Sequence, residues 1–542
     1  MPPPTFCPEC RLIRRLAVRN ERTLYTHTCV LCSKRTLSIY SPDKPFVIYC
    51  RECWNSDKWD PLTYGREYDF KKPFFLQWRE LMEAVPHMSL MQMRGSVNSE
   101  YANFTIDIKN VYLSTSVLYS ENIYYSHTVD DSKDAYDCLN DKNLEMTYWN
   151  IEGARNYRAH FTLRTRDCLE SAFLFDCTNC QHCFMSSNIR SKQYVFRNKQ
   201  LTKEQYQAEM AKIDMGSARQ LDELYKEFKA MTARAIHKYA NVLKTVGSTG
   251  DNLENCKNVQ QAFDAYDCEN LRYTVRTVGA KDVYDVYGSK MELGYECVAA
   301  GLDSYNGRVT MFGDQVKDSS YADWCTGVSN LFGCVAIKKK QYCILNKQYT
   351  KEEYEELLPK ILQHMKTMPY VDRAGRSYFY GDFIPIQLSP FCYNETIAQE
   401  YYPLSKEEAL TKGYNWHDPE PYSHKASKQT GDLPDNIKET TDEVLKEAIG
   451  CPKCGHAYKI ASQELVFLRQ QNIALPRACP TCRYKERFAM RNPFKLWTRQ
   501  CMCCAAKHAH GEGRCPNTFE TSYSPDRTEL VYCEQCYQQE VI

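Results

Sequence analysis

The sequence predicts a mixed, mainly β protein in which helices join two arrays of about 12-residue units and a cysteine-rich module lies at each end. Three observations predict this fold class. Cys-x-x-Cys pairs recur near both ends of the 542-residue chain. Turn-forming residues recur in steps of 12 through its middle. Two similar segments, "NKQLTKEQY" and "NKQYTKEEY", follow the two arrays and indicate that each array ends in the same way.

The cysteine pairs at the two ends belong to two copies of one module. In both copies the second pair follows the first at the same spacing, and the stretches "YSPDKPFVIYC" and "YSPDRTELVYC" precede the last pair. Two such knuckles give Zn²⁺ the tetrahedral thiolate cage that it prefers, so the spacing predicts zinc ribbons with structural rather than catalytic zinc. The predicted quartets are Cys29, Cys32, Cys50 and Cys53; Cys451, Cys454, Cys479 and Cys482; and Cys501, Cys504, Cys533 and Cys536.

Other potential ligands surround these quartets. Cys7 and Cys10 match Cys479 and Cys482 but lack an upstream knuckle, so they form an incomplete metal site that we expect to bind no zinc. A start upstream of Met1 would supply the missing pair, and a loop of this chain or a second chain are the alternatives. Four further residues crowd the last quartet, and we expect them to belong to an insertion loop because the N-terminal copy lacks it, with a role as metal ligands as the alternative: Cys503, His508, His510 and Cys515.

The second array has a column of turn formers that recurs once in every unit, the pattern of a repeat protein. A second column, four positions further on, contains only small or β-branched residues, as stacked inward positions require. These columns predict a β-solenoid of stacked parallel strands, whereas a β-meander is the competing fold. The turn column is Asn258, Asn270, Asp282, Gly294, Asn306, Asp318 and Asn330, and the inward column is Ala262, Thr274, Val286, Val298, Thr310, Ala322 and Cys334.

The first array is less regular. It has Asn110, Asn122 and Asp134 in phase and then drifts to shorter steps near Asn156 and Asp167. We expect Cys177, Cys180 and Cys183 of "CTNCQHC" to face the core, with a fourth metal site as the alternative. The pentapeptide "DAYDC" occurs in both arrays, and turn ladders explain its acids more simply than the carboxylate pair of a polysaccharide-cleaving solenoid.

The net charge of +1 conceals two basic blocks inside the end modules. Aromatic side chains lie among the cations, a mixture suited to phosphate contacts and base stacking. Solvated charge without a partner is the alternative. The predicted nucleic-acid-binding residues are Arg11, Arg14, Arg15, Arg19, Arg483, Lys485, Arg487, Arg491, Lys495 and Arg499.

Capping-box spacing at Thr202 and Gln205, and at Thr350 and Glu353, predicts that a helix begins after each array. The predicted organisation is an N-terminal zinc-ribbon module (1–60), a helical or irregular connector (61–98), a first solenoid array (99–200), a helical linker (201–250), a second solenoid array (251–349), a helix and irregular connector (350–449) and tandem C-terminal zinc ribbons (450–542).

The chain also resembles a known family through "PPPTFCPECR", "RNERTLY", "YSPDKPF" and "CWNSDKWDPLTYGREYDF". This is an uncharacterised family of cysteine-rich zinc-ribbon proteins from small-genome bacteria, sometimes given a misleading CoA-transferase label. The resemblance covers most of the chain, including residues 389–418. It implies a zinc-binding bacterial protein and no activity.

These observations predict a non-enzymatic, cytoplasmic zinc-binding scaffold or adaptor that binds RNA or a ribonucleoprotein, such as a ribosome, through its basic ribbons. No apolar run is long enough to span a membrane, and no signal peptide is present, so the 28 cysteines indicate reduced thiolates. The alternatives are a self-assembling structural protein that forms homo-oligomers through its solenoids, and a solenoid enzyme that acts on a polymer.

Overall fold

The computed structural model describes residues 3–288, 290–299, 301–419 and 424–542. The expectation of a start upstream of Met1 concerns a residue outside this part of the chain. In the N-terminal region, Cys7 caps the first helix and a small β-hairpin follows it. The elements here are α1 (Pro8–Leu16), β1 (Tyr25–Thr28), β2 (Arg35–Ser38), β3 (Ile48–Tyr49), α2 (Arg51–Trp54), a 3₁₀ turn (Pro61–Tyr64), α3 (Phe74–Ala84) and β4 (His87–Met88).

The first array is a β-solenoid of parallel strands that closes in an antiparallel hairpin. Its strands are β5 (Gln92–Val97), β6 (Thr105–Tyr112), β7 (Thr115–Leu118), β8 (Glu121–Tyr124), β9 (His127–Asp130), β10 (Lys133–Tyr136), β11 (Leu139–Lys142), β12 (Glu145–Ile151), β13 (Tyr157–Leu163), β14 (Leu169–Phe175), β15 (Phe184–Ser187), β16 (Val195–Phe196) and β17 (Lys199–Gln200). The linker holds α4 (Lys203–Met210), α5 (Ala218–Arg234) and β18 (Ile236–Lys238).

The second array repeats this plan. Its strands are β19 (Val242–Leu243), β20 (Gly250–Glu254), β21 (Ala262–Tyr266), β22 (Glu269–Arg272), β23 (Val275–Val278), β24 (Lys281–Tyr287), β25 (Met291–Glu292), β26 (Tyr295–Val298), β27 (Ser304–Arg308), β28 (Asp314–Asp323), β29 (Thr326–Val335), β30 (Gln341–Ile344) and β31 (Lys347–Gln348). The mainly β, double-solenoid fold class predicted from the sequence is confirmed.

Helices, 3₁₀ turns and short strands follow the arrays. They are α6 (Lys351–Thr367), β32 (Tyr370–Val371), β33 (Ser377–Tyr378), 3₁₀ turns at Ile386–Leu388 and Tyr393–Glu395, α7 (Ile397–Tyr401), α8 (Lys406–Thr411), β34 (Lys428–Gln429) and 3₁₀ turns at Thr430–Asp432, Ile437–Glu439 and Asp442–Lys446. The C-terminal ribbons contain β35 (Ile449–Gly450), β36 (Ala457–Tyr458), α9 (Ser462–Gln471), α10 (Pro480–Phe488), β37 (Trp497–Gln500), β38 (Thr518–Thr521), β39 (Leu530–Tyr532) and α11 (Glu534–Val541).

Each coil of a solenoid contains one repeat unit. Residues at the same position of successive units pair directly, as Phe263 does with Val275. Corners with positive φ recur every third residue, for example at Asn258 (+58°), Gln261 (+49°) and Asp264 (+54°). A coil is therefore a four-cornered ring with three residues to a side.

Asparagine and aspartate ladders stabilise one line of corners. A left-handed backbone costs most residues roughly 1–2 kcal/mol, and after Gly it is Asn and Asp that tolerate it best. The Nδ2 atom of Asn258 donates to Oδ1 of Asn270 at 3.2 Å, and Asn270 donates to Asp282 at 2.8 Å. A similar ladder in the first array runs from Asn110 through Asn122 to Asp134. Both ladders end on a carboxylate, which only accepts.

Each of the two strictly periodic columns predicted for the second array is wrong at one position, Val298 in the inward column and Gly294 in the turn column. Strand β26 is shifted, so its Cys297 pairs with Val286, one position short of the regular period, and its Tyr295 pairs with Arg308, one position beyond it. Cys297 therefore occupies the inward position expected for Val298. Leu293, with φ of +56°, takes the corner expected for Gly294.

The drift predicted in the first array is also wrong. Tyr157 pairs with Leu169, and Ala172 pairs with Phe184, so the period stays constant. Asn156 is not a corner. Its side chain is buried and donates to Thr165 inside the coil, which explains why it appeared out of phase.

The residue after each corner points into the solenoid, where four short sides leave room only for small or medium side chains. Cys177, Cys180 and Cys183 lie there together, as predicted, and each S–H donates to backbone carbonyls. Within the described part of the chain, none of the three belongs to a group of donors that could hold a metal ion. These thiols satisfy the backbone while filling the core.

A helix covers the C-terminal end of each solenoid. The capping boxes predicted at Thr202 with Gln205 and at Thr350 with Glu353 are confirmed. Tyr206 of α4 and Tyr354 of α6 are buried against the last coils. Both helices thereby protect coil edges that would otherwise offer unpaired backbone groups. Among the helices described, none is both long and apolar enough to span a membrane.

The two solenoids pack side by side through facing lines of corners that run in opposite directions. Phe104 contacts Phe312 at a ring-centroid distance of 5.8 Å. Further along the first array, Asn140 donates to Asp264 at 3.0 Å. Further still, Glu152 accepts from Asn252 at 2.9 Å. The residue numbers rise in one array as they fall in the other.

Replacement of Val286 by Asp tests the assignment of the interior. Val286 is fully buried, so an unpaired carboxylate there should lower the free energy of unfolding by several kcal/mol. Val278 is 49% exposed on the same array, and Val278→Asp should change stability by about 0.5 kcal/mol or less. Denaturant unfolding measures both variants, and equal midpoints would show that Val286 does not face the core.

Candidate metal centres and the arginine clamp

Two of the predicted cysteine quartets come together as complete donor sets. The four sulfur atoms of Cys29, Cys32, Cys50 and Cys53 all lie within 4.8 Å of one another, and so do those of the second quartet. Each set could hold a metal ion. The second set contains Cys451, Cys454, Cys479 and Cys482.

Backbone N–H groups point at the sulfur atoms and favour the thiolate. The Cys479 amide donates to Cys451 Sγ at 3.3 Å. Burial raises the pKa of the Cys451 thiol, but amide donors, that of Cys479 first, lower it to about 6. A thiol with this pKa is largely ionised at neutral pH, which is the form that binds metal.

The third set differs from the prediction by one ligand. Cys501, Cys533 and Cys536 lie together with Cys515, whereas Cys504 is exposed and outside the group. An insertion after Cys501 causes the difference. Counting back from the shared "YSPD" places Cys515, not Cys504, opposite Cys32. The spacing from Cys515 to "YSPD" was visible in the sequence. Cys501 and Cys504 have the Cys-x-x-Cys spacing of the other pairs, and this led to the prediction of Cys504 instead.

Cys7 and Cys10 are both exposed. In the described ranges, neither belongs to a group of three or more donors that could hold a metal ion. The Cys10 amide donates to Cys7 Sγ at 3.4 Å, the same contact that Cys482 makes with Cys479. The pair therefore has the local geometry of a ribbon knuckle at the start of α1.

Seven of the arginines predicted to bind nucleic acid are buried, in contrast to the exposed positions that phosphate binding would require. Arg15 and Arg487 are 0% exposed. The others are almost fully buried: Arg11, Arg14, Arg19, Arg483 and Arg491. The predicted role of these seven side chains in nucleic-acid binding does not fit their positions, because they are paired inside the protein.

The helix α1 places its arginines on acids at corners of the second array. Arg11 Nε lies 2.9 Å from Asp285 Oδ2, and Arg15 contacts Asp285 at 3.1 Å and Glu296 at 2.9 Å. Arg14 contacts Glu296 at 3.1 Å. Because Arg11 and Arg15 are separated by about one helical turn, both project from one face of the helix.

The helix α10 and the turn after it place the equivalent arginines on the first array. Arg487 contacts Asp137 at 2.6 Å, and Arg483 contacts Asp137 at 3.2 Å. Arg491 contacts Glu152 of the first array at 2.8 Å and Asp264 of the second at 2.7 Å. We call the buried arginines Arg11, Arg14, Arg15, Arg483, Arg487 and Arg491 the arginine clamp.

The acids of "DAYDC" divide between the clamp and the ladders. Asp137 and Asp264 bind clamp arginines, whereas Asp134 and Asp267 accept from Asn122 and Asn255. Sequence reasoning identified the ladder role and missed the clamp. Burial raises the pKa of Glu152, but Arg164 and Arg491 lower it to about 2, so this carboxylate stays charged.

A second buried network lies beside the clamp. Arg19 pairs with Glu21 at 2.7 Å, and Glu21 accepts from Nε2 of His127. Burial and the nearby charge of Arg276 lower the pKa of His127 from 6.5 to about 3. The imidazole is therefore neutral at pH 7.

The two arrays border a cavity of about 390 Å³ that we call the inter-array groove. Its apolar wall includes Met93, Phe104, Leu118 and Val278. Asp130 also lines it, its Oδ1 atom has no hydrogen-bond partner, and burial together with Asp131 raises the pKa of Asp130 to about 6.

Lys485 and Lys495 are exposed, and Arg499 is half-buried. They are the three predicted nucleic-acid-binding residues that solvent reaches. Lys495 lies 3.4 Å from Glu9, and Arg499 donates to the Ser524 carbonyl.

No family model and no curated protein matches this chain.

Replacement of Arg491 by Met tests the clamp. The variant leaves Glu152 and Asp264 buried without their shared cation, so we expect the free energy of unfolding to fall by about 3–5 kcal/mol. Lys485→Met removes an exposed cation from the neighbouring helix and should change stability by about 0.5 kcal/mol or less. Similar unfolding midpoints for the two variants would contradict a stabilising clamp.

The lowered pKa of His127 predicts a pH dependence. The unfolded chain binds the proton below pH 6.5 and the folded chain only below about 3, so stability falls as the pH decreases through this window. The limiting slope is about 1.4 kcal/mol per pH unit for one group. Urea unfolding between pH 7 and 5.5 should show a shallower slope for His127→Gln, and an unchanged slope would exclude His127 as the cause.

Proposed function

We propose that the protein is a non-enzymatic, zinc-dependent scaffold or adaptor whose ribbons hold two solenoids in a fixed relation. The contact of Arg491 with both Glu152 and Asp264 carries this proposal. One guanidinium contacts a corner of each array. Arg491 lies just after the helix α10, and the candidate metal ligands Cys479 and Cys482 lie at the start of that helix. Metal binding is thereby coupled to the arrangement of the arrays.

Zinc is the metal that we propose for the ribbons. Closed sets of four thiolates favour Zn²⁺, which has no redox chemistry and accepts tetrahedral geometry. The 28 cysteines are all free thiols, including the neighbouring ones inside the solenoids. This state suits a reducing compartment, so we place the protein in the cytoplasm.

We propose that the inter-array groove binds an extended polypeptide segment. An apolar wall beside the unpartnered Oδ1 atom of Asp130 suits a peptide, which supplies both side chains and backbone N–H groups. Asp130 has no ion-pair partner among the described residues, so a Lys, an Arg or an N–H donor of the partner would pair with it. A phosphate would be repelled there.

RNA or a ribonucleoprotein, the partner expected from the sequence, has weaker support. Seven of the ten cations assigned to it are paired internally, which leaves Lys485, Lys495 and Arg499. Phosphate binding depends on several free cations acting together. A peptide-binding groove makes better use of the observed charges.

The two other predicted functions also lose support. The acids that a solenoid enzyme would need, such as Asp134 and Asp264, are engaged by Asn122 and Arg491. Self-assembly through coil ends is disfavoured because α4 and α6 cover the last coil of each array. The scaffold proposal requires neither free acids nor open ends.

A photo-crosslinking amino acid at Leu118 tests the groove. In the native host lysate, we expect a crosslinked product whose electrophoretic shift nuclease does not change and in which mass spectrometry identifies peptides of a second polypeptide. Tyr305, which is 41% exposed and does not line the groove, is the matched control position and should give no such product. Because the groove depends on the clamp, prior removal of metal by a strong chelator should abolish the crosslink.

Two outcomes would overturn the proposal. A product at Leu118 whose electrophoretic shift nuclease abolishes would establish a nucleic-acid partner. Absence of any product at Leu118, or equal labelling at Tyr305, would show that the groove does not bind a partner.

A further inference from the structure

The insertion between Cys501 and Cys515 builds a second set of potential metal ligands. Its residues Cys503, His508 and His510 lie with Cys536, and the four donor atoms are all within 4.8 Å of one another. Cys536 also belongs to the neighbouring group of Cys501, Cys515 and Cys533. Two complete four-donor groups therefore share one thiolate.

The insertion is held against the C-terminal helix that supplies the shared cysteine. The Ala509 amide donates to Gln539 at 3.2 Å. Glu540 Oε2 accepts from His508 Nε2 at 2.9 Å. Glu540 follows Cys536 by about one helical turn, so Glu540 and Cys536 project from one face of α11. The helix provides both a ligand and the carboxylate that orients a histidine.

The surroundings of the ring nitrogens of the two histidines suit metal binding. His508 Nδ1 lies 3.0 Å from Cys503 Sγ while its other nitrogen bonds Glu540, the carboxylate–histidine arrangement found around bound metals. Both ring nitrogens of His510 are buried without a hydrogen-bond partner. Buried polar atoms are rarely left so, and a metal ion would use one of them.

We propose that Cys503, His508, His510 and Cys536 bind an additional Zn²⁺, with the Cys536 thiolate bridging it to the ion of the adjoining ribbon. Tetrahedral coordination by two sulfur and two nitrogen atoms suits zinc. The bridge also reduces the excess negative charge of a buried four-thiolate site, because the new cation brings only one further thiolate. The proposal rests on the adjoining ribbon holding metal and does not depend on the identity of the scaffold's partner.

The N-terminal module is an internal comparison. Its cysteine quartet contains Cys53 at the position of Cys536 but lacks the insertion. Within the described residues, no second donor group includes Cys53. The proposed pair of ions is therefore a property of the C-terminal copy.

Metal content of the full-length protein tests the proposal. Three separate four-cysteine sites and the proposed site predict about four zinc ions per chain by mass spectrometry of the metal against quantified protein. His508→Ala/His510→Ala should lose one equivalent, and Cys536→Ser should lose two because both ions share that thiolate. Cys504→Ser, an exposed cysteine of the same insertion, is the matched control and should lose none.

Reconstitution with Co²⁺ gives a second measurement that does not need Cys536→Ser to fold. The wild type should show absorption from both an all-sulfur site and a mixed sulfur–nitrogen site, and His510→Ala should remove or shift only the latter. The proposal is overturned if the double histidine variant keeps the wild-type metal count, or if its Co²⁺ spectrum equals that of the wild type. Loss of clamp stability in Arg491→Met with unchanged metal content would bear on the scaffold alone.

Discussion

A guanidinium keeps its proton at any pH at which a protein folds, so an arginine inside a protein must meet a carboxylate. Six such arginines form the clamp, and their positions determine how the arrays and ribbons fit together. Each solenoid could stack its own coils without them. The relation between the solenoids, and the groove that this relation creates, depends on acids placed at corners where the helices α1 and α10 approach.

The clamp also explains why a small ribbon accompanies each large array. A short helix such as α1 is only marginally stable alone in water. Buried ion pairs of Arg11, Arg14 and Arg15 along its side hold it in place. In the C-terminal copy, Cys479 and Cys482 lie at the start of α10 and Arg487 lies near its end. A metal ion held by this candidate site and the ion pair of Arg487 would therefore stabilise the same helix from opposite ends.

Much of the fold could be predicted from sequence because stacked coils repeat their requirements at a constant spacing. Asn258 and Asn270 share a corner geometry and therefore a residue type. The prediction was wrong at Val298 and Gly294, because a coil that is one position short is followed by a coil that is one position long. Such a pair preserves the overall phase while displacing one strand. Periodicity alone does not reveal two compensating shifts.

The role of the arginines could not be predicted from local sequence. The helix that carries Arg483 and Arg487 has the basic and aromatic composition of a nucleic-acid-binding helix. Their partner Asp137 lies far earlier in the chain, in the first array. Only the tertiary fold brings them together. Cys515 differs in that its assignment was available from the spacing to "YSPD", which a comparison of complete modules would have used.

The opposite directions of the two facing lines of corners constrain how this architecture can change length over generations. Duplication of one coil would lengthen an array by about 4.8 Å without disturbing its internal ladders. Between Phe104 and Glu152, however, it would carry Glu152 away from Asn252 and Arg491. A duplication of this kind preserves the contacts between the arrays only if the other array gains a matching coil. A coil added beyond the last contact between the arrays needs no such match. The pair of solenoids is therefore expected to grow at its ends or in both members together, even though either member alone could accept a coil anywhere.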